Sequence, residues 1–353
     1  MKKILIISPY YDDVNHWMVS TIKYAENLSK ISNVVIFTGG NKTEIKKKKN
    51  LKIYKFKDIF IKDPANYGII PFQYSKLNKV LKIENPDHVI INKHMFHTAL
   101  CSIFLKFKKI PFTISTDTFP GYVWWSENRL VNFVLYLYSR TIGNLALKLS
   151  DKVILFHRGL VDTAKHLKLN YKVIPNGVDL KKLENIKLKN SKKIIIGYVG
   201  RLESVKRYKD IIKVSRRFNK DVEFHFVGEN KKYKSNGNIK FIGYKKNVYD
   251  YMSKFDIFVI SSKSEGLPNA LMEAMSLGIA PVVTDVGGNV TLVKNKKNGL
   301  TYPVGNIDKL ESAIRYLINN PDKRKLYGEN SKKIIIDNYD WRDISKKIIK
   351  YLA

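Results

Sequence analysis

Cysteine is almost absent from this chain: Cys101, in "HTALCSIFL", is the only one in 353 residues. An internal disulfide and a cysteine-based metal site are therefore excluded, and a reducing compartment fits. A single thiol in an apolar stretch reads as a buried structural cysteine. Long uncharged apolar runs are also missing. None approaches the roughly 18 residues that a membrane span needs, and the apolar run in the opening "MKKILIISPYYDD" is too short for a secretory signal. The chain is expected to be cytoplasmic, either soluble or peripheral at the inner face of the cell membrane. No Asp-x-Asp triplet occurs, and no His/Asp/Glu cluster has ligand spacing, so no metal is expected. Acidic residues are scarce as well, 31 against 64 basic ones, for a formal charge of +33. Only ten of the basic residues are arginine, and lysine is a hydrated point charge rather than a bidentate fork. The lysines are scattered, with "KKKK" at 46–49 the one dense run. They read either as a general lysine-rich surface or as attraction to an anionic membrane leaflet. Nucleic acid is not the expected partner, because no groove-reading motif is visible.

What is present is enough to fold. Hydrophobic residues make up 44% and aromatics 12%, and the length suits two domains. Short apolar runs bounded by turns recur: "KKILIIS" (2–8), "NVVIFTG" (33–39), "DHVIIN" (87–92), "PFTIST" (111–116) and "DKVILF" (151–156). A second series opens with "KKIIIGYVG" (192–200) and continues with "VEFHFVG" (222–228), "IKFIG" (239–243), "DIFVIS" (256–261) and "APVVT" (280–284). Such runs suit buried parallel strands. Helix-length segments such as "SKLNKVLKIEN" and "NALMEAMSLG" lie between them. This alternation predicts an α/β chain of two Rossmann-like domains with parallel sheets. "YKVIPNGVDLKKLEN" is the expected joint, giving domains 1–178 and 179–337. Ligands of such sheets bind beyond the carboxyl ends of the strands, so two facing domains would share a central cleft.

Two segments could carry chemistry there. In "SEGLPNALMEAMSLGIAPVVT" (264–284) a strand ends, Gly266 permits close backbone approach, and Pro268 fits the first turn of a helix. The helix start is an anion site. Glu265 precedes it, Glu273 lies inside the helix, and carboxylates accept from sugar hydroxyls. Together these suit a ligand carrying both phosphate and polyhydroxyl groups, a nucleotide sugar. In "YVGRLESVKRYKD" (198–210), Arg201 and Lys206 fall in the turn after a strand. Two fixed cations there would neutralise a diphosphate leaving group; a solvated basic turn is the alternative.

"GRLESVK", "VIPNGVD" (173–179), "FVGE" (226–229), "FIGY" (241–244) and "EGLPNALMEAMSLGIAPVVTDVGG" occur in the order seen in glycosyltransferase family 4, which this chain resembles most densely from about Val173 to Tyr302. The resemblance implies the GT-B architecture and a retaining, metal-independent transferase without a cofactor. It implies that "YDWRDISKKIIKYL" forms a terminal helix (338–353) packing back on the first domain. It also implies that Arg201 and Lys206 hold the donor diphosphate and that Glu265 contacts the donor sugar. Gly266, Leu267, Pro268 and Asn269 would offer backbone groups, and Glu273 would accept from the ribose hydroxyls.

The first half departs from the family pattern. Where a double glycine is common, "SPYYDDVNHWMVST" has His16 and Trp17, and where a histidine is common, "PFTISTDTFPG" has Asp117. Asp117 would align the acceptor hydroxyl or else serve as a turn or cap residue. His97, in "NKHMFHT", and His16 are candidates to line the cleft, with simple packing the other reading for His97. The aromatic stretch Phe119–Leu147, with Trp124 and Trp125, reads as a packed helix or as an acceptor channel or interfacial patch. The expected activity is hexose transfer from a nucleotide-diphosphate sugar to a glycan or lipid-linked acceptor, with peripheral contact to an anionic membrane. The alternative is a catalytically impaired, nucleotide-sugar-binding subunit.

Overall fold

The computed structural model describes residues 1–9, 19–61, 67–123, 128–189, 191–229 and 233–353. The chain divides into two compact units, Met1–Asn176 with Arg342–Ala353, and Gly177–Trp341. The breaks expected after residues 178 and 337 thus fall after 176 and 341. The reason is local. Val178 bridges Asp340, donating to the Tyr339 carbonyl at 2.7 Å while its own carbonyl accepts from Trp341 at 3.2 Å. Both crossing segments are therefore tied together inside the second unit.

The first unit holds an eight-stranded sheet. Its strands lie in the order Tyr171–Val173, Lys152–Leu155, Phe112–Thr116, His88–Asn92, Lys3–Ser8, Asn33–Gly40, Leu51–Lys57 and Glu44–Lys48. All neighbours are parallel except the last pair. That antiparallel edge is where the fully parallel expectation fails. "EIKKK" carries the lysine run, its lysines are exposed, and charged side chains on an edge discourage pairing with another sheet. The terminal helix, Trp341–Leu352, buries Ile344, Ile348 and Leu352, one face at helical spacing. Lys152 donates to the Tyr351 carbonyl at 2.7 Å.

The second unit is a fully parallel six-stranded sheet in the order Ile239–Gly243, Val222–Val227, Ile194–Val199, Ile257–Ile260, Ala280–Thr284 and Leu300–Tyr302. Alternate residues feed two cores. Phe258, Ile260 and Val283 join Leu271 and Met275 on one face. Ile196, Phe224, Ile257, Val259 and Val282 join Ile211 and Ile314 on the other. Strand order reverses between Ile194–Val199 and Ile257–Ile260, and at such a switch point the following loops diverge and leave a crevice.

Candidate active site

The loops after those two central strands are bonded to each other. The Ser261 hydroxyl donates to the carbonyls of Lys206 and Arg207, each at 2.9 Å, and the Lys263 N–H to the Val205 carbonyl at 2.9 Å. Arg207 holds a left-handed φ of 46°, a strained position for a residue with a side chain, and Asp210 fixes its guanidinium at 2.7 Å. This locked turn aims Lys206 at Glu265. The ammonium lies 2.8 and 2.9 Å from the two carboxylate oxygens, with the carboxylate side chain 9% and the lysine 21% exposed. Ser262 also donates to Glu265. Arg201 belongs to the first loop but pairs with Glu203 at 2.6 Å.

Pro268 is not in the first helical turn. It adopts an extended ψ of 114° immediately before the helix Asn269–Ser276, and its carbonyl accepts from the Met272 N–H. Having no N–H, it cannot join Gly266, Leu267 and Asn269 as a donor. Pro268 makes no side-chain cap for this helix, so among the described residues its first amide groups are open to a ligand. Glu273 is buried in the helix, with Tyr249 donating to it at 3.3 Å. Burial, and then the Glu273 charge, push the Tyr249 hydroxyl well above its ordinary pKa.

Several supports were not singled out from the sequence. A Cβ on Gly287 would lie 1.9 Å from the Glu265 carbonyl, and one on Gly288 would lie 1.7 Å from that of Gly266. The "DVGG" glycines thus let a third loop press against the backbone of Glu265 and Gly266. Ser262, Tyr249 and Lys93 are partners rather than motif residues, and only the fold shows what they touch.

Asp117 and His97 belong to the first unit. There the strand order reverses between Lys3–Ser8 and His88–Asn92, and the next loop is strained, with φ of 67° at Lys93 and 37° at Phe96. Lys93 donates to Asp117 at 3.0 Å. Burial alone would raise the Asp117 carboxyl, but the Lys93 charge and hydrogen bond outweigh it and hold the pKa below the ordinary range. The His157 ring sits 3.0 Å from the Asp117 carbonyl. His97 is 2% exposed with neither ring nitrogen bonded, so it packs inside the unit. His16, Trp17, Trp124 and Trp125 lie outside the described residues.

Burial lowers His94 and His97 to about 4. Both are neutral in the folded chain, whereas the unfolded chain protonates them near pH 6.5. Stability is therefore complete above pH 6.5 and is lost as pH falls from there towards 4. Urea midpoints should drop between pH 7 and 5, and His97→Phe should flatten that drop; an unchanged slope would contradict the assignment.

Among the described residues no group of three or more His, Cys, Asp or Glu is arranged to hold a metal ion. No described helix is long and apolar enough to cross a membrane.

Residues 179–334, nearly all of the second unit, match the family of glycosyl transferases group 1. The second unit is thus similar in sequence to the group 1 glycosyl transferases. The chain is 31% identical over 251 residues to an uncharacterized glycosyltransferase of Methanocaldococcus jannaschii, a match spanning 64% of each chain. It is 26% identical over 308 residues to the N-acetylgalactosamine-N,N'-diacetylbacillosaminyl-diphospho-undecaprenol 4-alpha-N-acetylgalactosaminyltransferase of Campylobacter jejuni, covering 80% of both chains. It is also 26% identical over 299 residues to the Escherichia coli UDP-Gal:alpha-D-GlcNAc-diphosphoundecaprenol alpha-1,3-galactosyltransferase, covering 75% of this chain and 74% of that one. Among solved structures, sucrose-phosphate synthase from Thermosynechococcus elongatus aligns with a TM-score of 0.79 at 15% identity, over 99% of this chain and 98% of that one. Anabaena HepE in complex with UDP and glucose aligns at 0.76 and 16% identity, over 100% of this chain and 99% of that one. The chain has the GT-B fold, with each of its two units built on a predominantly parallel sheet.

Proposed function

We propose that this chain is a retaining, metal-independent enzyme of the family 4 type. It would move a hexose from a nucleotide-diphosphate sugar to a lipid-linked glycan, working peripherally at the inner face of the cell membrane. The observation that carries the reading is the Lys206–Glu265 pair held at the switch point, 2.8 Å apart, directly ahead of a helix start to which Pro268 gives no side-chain cap. When donor binds, Lys206 and Arg201 turn to the diphosphate and stabilise the charge that develops on it as the glycosidic bond breaks. Glu265, released from Lys206, accepts hydrogen bonds from the sugar, and Glu273 accepts from the ribose. The departing phosphate oxygen takes the acceptor's proton on the same face of the sugar, and Asp117, kept ionised by Lys93, orients the acceptor hydroxyl. The names of the Campylobacter and Escherichia relatives, both of which specify diphospho-undecaprenol-linked sugars, support a lipid-linked acceptor here.

The test is nucleotide release from a panel of donors with a diphospho-undecaprenol-linked sugar, with and without EDTA. The reading expects acceptor-dependent release that EDTA leaves unchanged and that Asp117→Asn reduces about 10²-fold or more, the scale of a lost acid–base or orienting group. Loss of activity in EDTA would overturn metal independence. Donor binding with no release from any acceptor would instead favour the impaired binding subunit, the reading suggested by His16 and Trp17 in place of the double glycine.

A further inference from the structure

The helix Arg129–Arg140 in the first unit is capped by Asn128, whose side chain accepts from the Leu130 and Val131 amides. Its inward face buries Leu135, Tyr138 and Ser139. A surface helix ordinarily turns polar residues outward. Here the opposite face carries Leu130 at 71%, Phe133 at 59%, Val134 at 44% and Leu137 at 47% exposure, the i, i+3, i+4, i+7 set of one stripe. The next helix, Ile142–Leu149, adds exposed Ile142 and Leu145. A contiguous exposed apolar patch of this kind marks a docking surface.

The charge carried by these two helices is of one sign. Residues 128–150 contain Arg129, Arg140 and Lys148 and no acidic residue. Beside the helix ends lies a cavity of about 670 Å³ whose lining includes Tyr122, Arg140, Lys148, His166 and Lys168, and no carboxylate among the described residues. Arg140 is fixed there. Its guanidinium lies 4.2 and 4.6 Å from the ring centroids of Tyr122 and Tyr136 and donates to the Gly121 carbonyl at 2.6 Å, and none of the described carboxylates pairs with it. A preorganised cation with no counter-charge among the described residues, next to an apolar stripe, has the chemistry of an interfacial helix on a bilayer.

We propose that this surface docks the chain on anionic phospholipid, with Leu130, Phe133, Val134 and Leu137 entering the headgroup boundary and Arg140, Lys148 and Lys168 receiving lipid phosphates. The proposal deepens the lipid-linked acceptor reading and rests on it for its biological sense. It is measured without donor or acceptor, so either can fail alone.

The experiment is co-sedimentation of the full chain, at physiological salt, with vesicles of phosphatidylcholine alone or mixed with phosphatidylglycerol. Binding is expected only to the mixed vesicles. Phe133→Ser with Leu137→Ser should lower partition about tenfold or more. Lys148→Glu with Lys168→Glu should lower it about twenty-five-fold or more, from about fivefold for each basic charge removed at the surface. The same charge change made at the sheet edge, Lys46→Glu with Lys47→Glu, should cost less than about threefold. All three variants change exposed residues, so unchanged thermal midpoints are expected and keep the comparison valid. Absence of binding to the mixed vesicles overturns the proposal. So does an equal loss in the edge variant, which would make the attraction general to the surface. So does conversion of a dimer to a monomer by Phe133→Ser with Leu137→Ser at unchanged vesicle binding, which would make a second copy the occupant.

Discussion

Lys206→Met is expected to lower kcat/KM for the sugar donor by about 10²–10³-fold, the scale seen when one preorganised donor to a developing negative charge is removed. The same substitution should lower stability by about 1–3 kcal/mol, because Glu265 is left as a nearly buried carboxylate without its cation. These effects are separable. In the double variant Lys206→Met with Glu265→Gln the uncompensated charge is gone, so stability should recover while turnover stays low. Urea unfolding and nucleotide-release kinetics on the two proteins check this. Recovery of both quantities together would mean that the pair is a structural ion bridge and nothing more.

Gly288→Ala should have a second large effect without touching any charged group. The added methyl would lie 1.7 Å from the Gly266 carbonyl oxygen and 2.9 Å from the Leu267 Cα. Both are backbone atoms, so no rotamer change can relieve the clash. The loop that carries Glu265 must move, at a cost of about 1–3 kcal/mol for overpacking, and donor affinity should fall at least tenfold because a 1 Å misplacement is enough for that. Gly237→Ala is the matched control. Its φ of 57° strains a side chain, but a Cβ there meets nothing within 4 Å. It should lose about 1 kcal/mol from the strained φ and keep its donor affinity. Thermal unfolding with and without nucleotide sugar distinguishes the two variants.

The strands that hold these loops were readable because each is a short apolar run between turns, and "KILIIS", "NVVIFTGG" and "APVVT" sit within a residue or two of expectation. The lysine-rich edge was not. In "EIKKK" and "LKIYKFK" charged residues interrupt the apolar signal, and it is pairing to Asn33–Gly40 on one side and to Glu44–Lys48 on the other that makes Leu51–Lys57 a strand. "YKV" and "LTY" are too short to register. Within the site, the residue types at 201, 206, 265 and 273 could be read, but their partners could not. Lys206 meets Glu265 across 59 positions of sequence because Ile194–Val199 and Ile257–Ile260 are neighbours in the sheet, a fact of strand order that no local pattern contains. The same holds for Lys93 and Asp117, joined through adjacent strands. The aromatic stretch after Phe119 announced a hydrophobic segment, yet which of its residues face outward depends on which face of the helix the first core takes up.

In the proposed mechanism the second unit grips a nucleoside diphosphate through Lys206, Arg201 and the start of the Asn269–Ser276 helix. The direct measurement is thermal stability of the full chain against a panel of nucleoside diphosphates and their sugars, repeated on Lys206→Met and Glu273→Ala. One nucleotide should stabilise the native chain by about 2.7 kcal/mol at a hundredfold excess over its dissociation constant, and both variants should lose most of that gain at the same concentration. A nucleotide that stabilises the variants as well as the native chain would place its site elsewhere and contradict the account.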